Sequence, residues 1–378
     1  MDFNKLINCR ITNMKTTSLR FFFIGIIFFQ LVSCSEKIIP AQSVRPMADS
    51  IGFAVHSRQM DSIMQRIKLN QADLLTAAVQ SVPKQTVKAA ISPHDDYTYA
   101  GWLYPAVLSQ IKAGTVIIFG VAHKARKFNL ENKIIFDSFS AWHGPYKNAE
   151  VSSMREDIMA DLDTSVYLVH DEMQQVEHSV EALVPFLQYF NREVQIVSIL
   201  VPYMPHQRMQ AIAAELSRAI NNAAQKRSWK WGRDYALLIS NDAIHYGDQD
   251  WGGKNLAPMG TGEEGYKRVA VFERQIIDEC LSGPLNKEMI EKFTEYTVKE
   301  DNYKEYKWTW CGRYSLPFGL LTSFYHQESH DQPLLTGHLL GYALSVDHDH
   351  IKVDDLGMGT TAPANLNHWV GYVGMVYY

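Results

Sequence analysis

Thr115-Val-Ile-Ile-Phe-Gly120 is the stretch that decides the fold, because it is a short apolar run in which polar and apolar positions do not alternate. Similar runs occupy residues 87–92, 194–201 and 235–240. Such runs are typical of strands buried on both faces of a sheet, and the stretches between them are long enough for crossover helices. We therefore predict an α/β protein: a single domain with a mostly parallel central sheet flanked by helices. Helices are expected at residues 57–69, after Gly101, and at 179–189, 206–222 and 265–281.

A histidine follows three of these runs. His94 comes after the first run and His123 after the second, and the last run continues into Asn241-Asp-Ala-Ile-His245. Because the carboxyl ends of strands in an open α/β sheet meet in one crevice, we expect the three imidazoles to lie together there. Neutral imidazole binds Fe(II), Zn(II) and Cu, so the pattern predicts a metal site. For any single histidine, the alternative is a structural side chain with satisfied hydrogen bonds.

The composition excludes some classes of partner. The chain has 378 residues, of which 46% are apolar and 20% charged, as in an ordinary globular protein. Its formal net charge of -5 leaves no basic field that would hold nucleic acid. Four cysteines, without a Cys-x-x-Cys pair, are too few and too scattered for a disulfide scaffold or a zinc ribbon. The composition alone therefore favours a metal site built mostly from histidine and carboxylate.

The N-terminal segment has the features of an export signal. An apolar run of about a dozen residues follows Arg20 and ends at Leu31-Val-Ser-Cys34, which resembles a bacterial lipobox. A bilayer span needs about 20 apolar residues, so this run is too short to cross a membrane. We expect lipid on Cys34 to anchor the protein in the bacterial cell envelope, on the periplasmic or surface side; a buried N-terminal strand or helix is the alternative. The predicted segments are a lipoprotein signal peptide at 1–33, a tether at 34–49 and the main domain at 50–378.

Met14-Lys15 would begin an export signal of conventional length. We therefore expect residues 1–13 to come from an upstream start codon. Beyond the signal and tether, no repeat or low-complexity tract interrupts the chain, which favours one large domain.

Five ordered motifs connect the sequence to a known family. They are Ile91-Ser-Pro-His-Asp-Asp-Tyr-Thr-Tyr-Ala-Gly101, Phe119-Gly-Val-Ala-His123, Glu177-His-Ser-Val-Glu181, Ser240-Asn-Asp-Ala-Ile-His-Tyr-Gly247 and Cys311-Gly-Arg313. In this order and spacing they resemble the Memo family, the B component of the AmmeMemoRadiSam system, which is similar in fold to the class III (LigB-type) extradiol dioxygenases. The resemblance covers most of the chain after about residue 85. Because one fold hosts several functions, it indicates homology more strongly than a reaction.

The resemblance implies a set of site residues. The implied metal ligands are His94, His123 and Cys311. The implied catalytic residues of the same pocket are His178, His245 and Asp242. In this scheme one of the two catalytic histidines acts as acid or base, and the carboxylate orients one of them.

Cys311 has two further interpretations. Gly312 beside it permits close approach, and the charge of Arg313 is expected to favour the thiolate. The alternatives are a buried inert thiol and a disulfide with Cys280, since export to an oxidising compartment makes a free thiol less secure. We predict that Cys311 faces His94 and His123, with Cys280 remote on the outside of a helix.

Three other features lie near these motifs. Where the family commonly has Pro-His-Ala-Gly-Tyr, this chain has Pro93-His-Asp-Asp-Tyr97. Solvated loop acids are the default interpretation of Asp95 and Asp96; the alternatives are an additional metal ligand and partners that orient an imidazole. Ser179 and Glu181 are placed to cap and support the first turn of a helix. The glycine-containing insert at 248–262 is expected to rim the site or a subunit contact.

Two hypotheses of different class follow. The first is a metal-dependent redox or extradiol-dioxygenase-type enzyme that acts on a small molecule, with Fe(II) or Cu as the preferred metal and Zn as a third option. The second is a non-catalytic envelope protein that binds copper or iron, or a peptide, in the same strand-end cleft. The sequence leaves the choice between them, the substrate and the oligomeric state open. A catalytic metal site keeps an open coordination position, whereas a structural one is closed.

Overall fold

The computed structural model describes residues 43–329 and 333–378. The predicted signal peptide, Cys34 and most of the predicted tether lie outside these residues. Within them, no helix has both the length and the apolar character needed to cross a bilayer.

The strands of the described structure belong to two sheets. They are β1 (Val44–Arg45), β2 (Ala89–Ser92), β3 (Thr115–Val121), β4 (Ile134–Phe136), β5 (Ala141–Trp142), β6 (Ala149–Glu150), β7 (Tyr167–Val169), β8 (Gln195–Val201), β9 (Tyr235–Ser240), β10 (Asp242–Gly247), β11 (Gly283–Pro284), β12 (Thr336–Leu344) and β13 (His368–Tyr377). A small three-stranded sheet contains β1, β5 and β6, and the other strands form the main sheet.

The centre of the main sheet is parallel, and antiparallel pairings flank it: β13 with β2 on one side and β4 with β8 on the other. The strand order is β11-β12-β13-β2-β9-β3-β8-β4-β7, and β10 also pairs with β13. Neighbours among β2, β9, β3 and β8 run parallel, whereas β13 is antiparallel to β2, β12 and β10. Every residue of β2, β3 and β9 is buried, as expected for strands covered on both faces. The predicted α/β class and flanked central sheet are confirmed.

Helices cover both faces of the main sheet. They are α1 (Ser57–Asn70), α2 (Ala72–Ser81), α3 (Tyr97–Ala100), α4 (Leu103–Leu108), α5 (Met154–Asp161), α6 (Asp171–Gln175), α7 (Val184–Phe190), α8 (His206–Lys226), α9 (Gly262–Cys280), α10 (Lys287–Thr297) and α11 (Ser315–Glu328). One hydrophobic cluster joins α1, α2, α4 and α7 to the sheet, and a second joins α5, α8, α9, α10 and α11.

Helix α8 shows why the sequence forms these elements. Its buried residues recur three or four positions apart at Met209, Ile212, Ala213, Leu216 and Ile220, so one stripe faces the core. The prediction at 206–222 was therefore close, as was the prediction at 57–69 for α1.

The predicted helix at 179–189 begins later, at Val184. Ser179 does not cap it, because its hydroxyl donates to the carbonyl of Val121 at 3.0 Å. Glu181 does not support the first turn either, since it accepts hydrogen bonds from Arg45 and from the backbone of Ala48. The capping interpretation of this segment was wrong: both side chains bind distant parts of the fold.

The predicted tether at 34–49 extends too far into the chain. Strand β1 pairs in parallel with β5, and Arg45 is buried against the ring of Trp142 at 4.3 Å from its centroid. Arg45 also forms a buried ion pair with Glu181 and donates to the carbonyl of Gln174 at 3.0 Å. Removing one partner of such a buried ion pair would leave the other charge buried without a counter-charge. The strand pairing and the buried ion pair show that residues 44–45 belong to the folded domain.

Candidate metal centre

Three side chains of the centre follow the ends of parallel strands. His94, His123 and Asp242 each lie two residues beyond the last residue of β2, β3 and β9. These strands are neighbours in the sheet, and Ser92 of β2 is in register with Ser240 of β9. The strand-end geometry predicted from the sequence therefore holds at these positions.

The imidazoles of His94, His123 and His178 form one group. One ring nitrogen from each of the three residues lies within 4.8 Å of the chosen nitrogens of the other two. The ring centroids of His94 and His123 are 5.3 Å apart, and His178 stacks on His123 at 4.7 Å. Neutral imidazoles at this spacing are able to share one metal ion.

A second group shares His94 with Asp242 and Cys311. Its three ligand atoms also lie within 4.8 Å of one another, and all three residues are buried. The Nε2 atom of His94 is 3.3 Å from a carboxylate oxygen of Asp242 and 3.4 Å from the Cys311 sulfur. The predicted ligands are thus divided between two overlapping groups that meet at His94, and their assignment as ligands stays a prediction.

The hydrogen bonds of His94 identify its tautomer. The Ser240 hydroxyl has one proton, which it donates to the carbonyl of Ser179 at 2.5 Å. The same hydroxyl oxygen lies 2.8 Å from Nδ1 of His94 and must therefore accept from it. The proton of the neutral ring is then on Nδ1, and the lone pair on Nε2 faces Asp242 and Cys311. Burial and the three neighbouring imidazoles lower the pKa of His94 well below its usual value, so the ring is neutral.

Glu177 orients His123 in the same way. Its carboxylate lies 2.8 Å from Nδ1 of His123 and accepts from the backbone amides of His123, His178 and Ser179 at 2.8–3.0 Å. Burial alone would raise its pKa, but His123 and the other donors lower the pKa to about 2. A carboxylate that accepts a hydrogen bond from Nδ1–H leaves Nε2 free to bind a metal ion. Metal-bound histidines commonly donate their other ring N–H to a carboxylate in this way.

Cys311 reaches the centre through close backbone packing. Its sulfur accepts from the backbone amide of Asp242 at 3.2 Å. A Cβ on Gly312 would lie 2.1 Å from Oδ1 of Asn241, so only glycine fits beside this cysteine. Burial, followed by the charge of Asp242, raises the pKa of the thiol well above its usual value. The expectation that Arg313 favours the thiolate was wrong, because its guanidinium lies against Tyr306 instead.

Cys280 is the other cysteine that the structure describes, and neither of the two forms a disulfide. It is the last residue of α9 and is fully buried, so the prediction that it lies on the outside of a helix was wrong. Burial raises the pKa of its thiol to about 12, as expected for an inert cysteine.

Glu273 of α9 holds the cysteine-bearing segment in place. Its buried carboxylate accepts from the indole N–H groups of Trp308 and Trp310 at 2.5 and 2.7 Å. It also accepts from the backbone amide of Ile244 at 3.2 Å and from the hydroxyl of Tyr342 at 3.3 Å. One side chain therefore joins the loop before Cys311 to β10, which the sequence motifs did not reveal.

His245 lies farther out than the sequence predicted. It belongs to β10, donates its backbone N–H to Thr309 at 3.0 Å, and packs its ring against Trp251 at 5.5 Å. It is not in either group of closely spaced ligand atoms, and within the described residues its Nδ1 atom has no hydrogen-bond partner. The third imidazole beside His94 and His123 is that of His178.

The remaining acids have structural contacts. The carboxylate of Asp242 contacts His94 at its backbone N–H (2.8 Å) and at Nε2, and no described bond joins it to His178 or His245. Asp95 accepts from the hydroxyl of Tyr372 at 2.5 Å, and Asp96 accepts from the backbone and hydroxyl of Thr361. The default interpretation of Asp95 and Asp96 as solvated acids was wrong: both connect the His94 loop to the C-terminal part of the chain.

A cleft reaches the centre from one side. A cavity of about 680 Å³ is lined by His123, His245 and Cys311, and by Trp251 and Lys254 of the insert at 248–262. A smaller cavity of about 230 Å³ also includes His123 and Cys311. The insert therefore rims the site, one of the two roles expected for it, and the centre is accessible to a small ligand.

Comparison with known proteins places this arrangement in a family. Residues 59–360 match the family model described as Memo-like protein. The chain belongs to the Memo family. Three MEMO1 family proteins align with this Memo-family chain, and it spans 54–65% of their lengths.

The three alignments have similar identity. A protein of Methanothermobacter thermautotrophicus is 29% identical over 174 residues, which cover 43% of this chain and 56% of the relative. One of Pyrobaculum aerophilum is 29% identical over 199 residues, covering 50% and 65%. One of Thermococcus kodakarensis is 29% identical over 169 residues, covering 43% and 54%.

The donor set of this Memo-family chain fits a metal ion. The unprotonated Nε2 of His94 is buried and faces a carboxylate and a sulfur, and an acid holds the Nδ1 side of His123. Imidazole with thiolate or carboxylate suits Fe, Cu and Zn, so the donors support a possible metal site without identifying the metal.

Proposed function

We propose that this Memo-family chain is a metal-dependent redox enzyme of the extradiol-dioxygenase type, which acts on a small-molecule diol and O2. The proposal rests on one observation: the cleft of about 680 Å³ opens directly onto His123 and Cys311. A metal held there would keep coordination positions free for a ligand, as catalytic sites do.

His94, His123 and Cys311 would hold the metal in this proposal. When bound, Fe(II) or Cu would polarise the substrate and provide the electron transfer that no side chain supplies. His178 stacks on His123, and its side chain is 35% exposed, so it is able to exchange a proton with a ligand beside it. His245 lines the cleft and is the second acid or base candidate.

The proposal is tested by metal analysis of protein purified without chelator or affinity-tag histidines, in air and anaerobically. We expect about one Fe or Cu per chain and consumption of O2 when a catechol panel is added to the loaded protein. His94→Ala should lose both. His338→Ala, which changes a half-buried histidine of β12 that is in neither group of ligand atoms, should retain them. Stoichiometric Fe or Cu without O2 consumption would favour the alternative, a non-catalytic envelope protein that binds metal or a peptide; absence of metal would contradict both metal-based proposals.

We also propose that the chain is lipid-anchored in the bacterial cell envelope. The support is the lipobox-like Leu31-Val-Ser-Cys34, which lies outside the described residues. Cys34→Ala should release the protein from the membrane fraction or leave its signal uncleaved, because the acyl chains can no longer be attached. Fractionation and mass spectrometry of the N-terminal peptide check this. Unchanged membrane partitioning, with residues 14–33 still present in mature wild-type protein, would contradict it.

A further inference from the structure

A buried cation without an acidic partner lies beside the metal centre. Arg313 is 6% exposed, and no carboxylate within the described ranges 43–329 and 333–378 forms an ion pair with it. Its guanidinium donates one backbone hydrogen bond, to the carbonyl of Lys304 at 3.2 Å. It also covers the ring of Tyr306 at 3.3 Å, and its Nε atom is buried without an acceptor. Burying a charge without a counter-charge is costly, so an anion is the expected partner.

The surroundings of Arg313 are positive. The smaller cavity is lined by Arg313, Arg126, Lys254 and Lys304, against a single carboxylate, Glu305. Arg126 already pairs with Glu305 at 3.1 Å, and Lys304 pairs with Glu131 at 2.6 Å. Within the described residues, Arg313 and Lys254 form no ion pair, and these two cations leave the cavity with a net attraction for a negative group.

The smaller cavity and the larger cleft have lining residues in common. The two share His123, Lys254, Glu305, Tyr306 and Cys311. A ligand near His123 and Cys311 is therefore within reach of Arg313. A volume of about 230 Å³ suits one compact group rather than a chain.

We propose that the smaller cavity is an anion subsite in which Arg313 binds a carboxylate of the ligand, so that the protein selects small organic acids. The planar guanidinium fork matches a carboxylate in two-point contact, and its Nε atom has no acceptor within the described residues. Tyr306 on one face of the guanidinium fixes its plane. The subsite deepens the proposed small-molecule function on which it rests, and it does not require the metal in order to bind an anion.

The test uses benzoate and its neutral isostere benzamide with metal-free protein. By calorimetry or NMR titration, we expect benzoate to bind about tenfold more tightly than benzamide, because only benzoate pairs with the guanidinium. Arg313→Met should abolish this preference. Arg218→Met, which removes one positive charge outside both cavities, should keep it.

A second measurement covers failure of Arg313→Met to fold. In wild-type protein, benzoate should shift the Nε–H resonance of Arg313, assigned by its loss in Arg313→Lys, and benzamide should not. Equal binding of the two probes, or a folded Arg313→Met variant with the preference intact, would overturn the subsite. Because the protein is metal-free, these outcomes are independent of whether the metal-dependent activity exists.

Discussion

Replacing Glu177 by alanine should cost about 3–5 kcal/mol of unfolding free energy and most of the metal affinity. The Glu177 carboxylate accepts hydrogen bonds from three backbone amides and from Nδ1 of His123, and the Glu177 side chain is fully buried. Alanine leaves these donors without partners, at about 1–3 kcal/mol for each one that water does not reach. Denaturant unfolding and metal titration measure the two effects.

Glu177→Gln separates the charge from the shape. It keeps one carbonyl acceptor, so we expect a smaller loss of stability than in Glu177→Ala. Metal affinity should still fall by about 10–100-fold, as is typical when the partner behind a metal-bound histidine is changed. Glu193→Gln, an exposed acid paired with Lys147, should change neither property. Wild-type metal affinity in a folded Glu177→Gln variant would exclude His123 as an oriented ligand.

Cys311→Ser should lower metal affinity by about 100-fold or more while the protein stays folded. A hydroxyl is nearly isosteric with the thiol, and it is able to replace the hydrogen bond that the sulfur accepts from the amide of Asp242. It is, however, a much poorer ligand for Fe, Cu or Zn than a thiolate. Metal analysis and thermal unfolding of the variant test both parts.

Cys280→Ala provides the matched control, because it removes the other described thiol, which belongs to neither group of closely spaced ligand atoms. It should leave metal content at the wild-type value. Full metal occupancy in Cys311→Ser, or a peptide that joins Cys280 to Cys311 by mass spectrometry, would remove Cys311 from the centre. A histidine and carboxylate site would then remain, with His94, His123, His178 and Asp242.

Local patterns predicted the parallel part of the fold well. Strands β3, β8 and β9 coincide with the apolar runs because burial on both faces leaves a continuous apolar signal in a few consecutive residues. His94 and His123 were also predictable, since the carboxyl ends of parallel strands meet at one edge. The family resemblance supplied Cys311, whose segment has no such local signal.

The side chains that orient the centre could not be predicted in the same way. Glu273 is 37 residues from Trp310 and lies on a helix, where an acid is normally expected on the solvent side. Glu177 and Ser240 act through hydrogen bonds to rings that follow other strands. Their roles depend on how distant segments pack against one another. The residues next to them in the sequence do not indicate this packing.

The central claim, that His94, His123 and Cys311 hold one metal ion, is tested most directly by the absorption spectrum of the Co(II)-loaded protein. Co(II) accepts the same nitrogen and sulfur donors, and a bound thiolate gives a sulfur-to-metal charge-transfer band. We expect one tightly bound Co(II) per chain, with this band present in wild-type and Cys280→Ala protein and absent from Cys311→Ser. Failure to bind Co(II), or an identical charge-transfer band in Cys311→Ser, would contradict it.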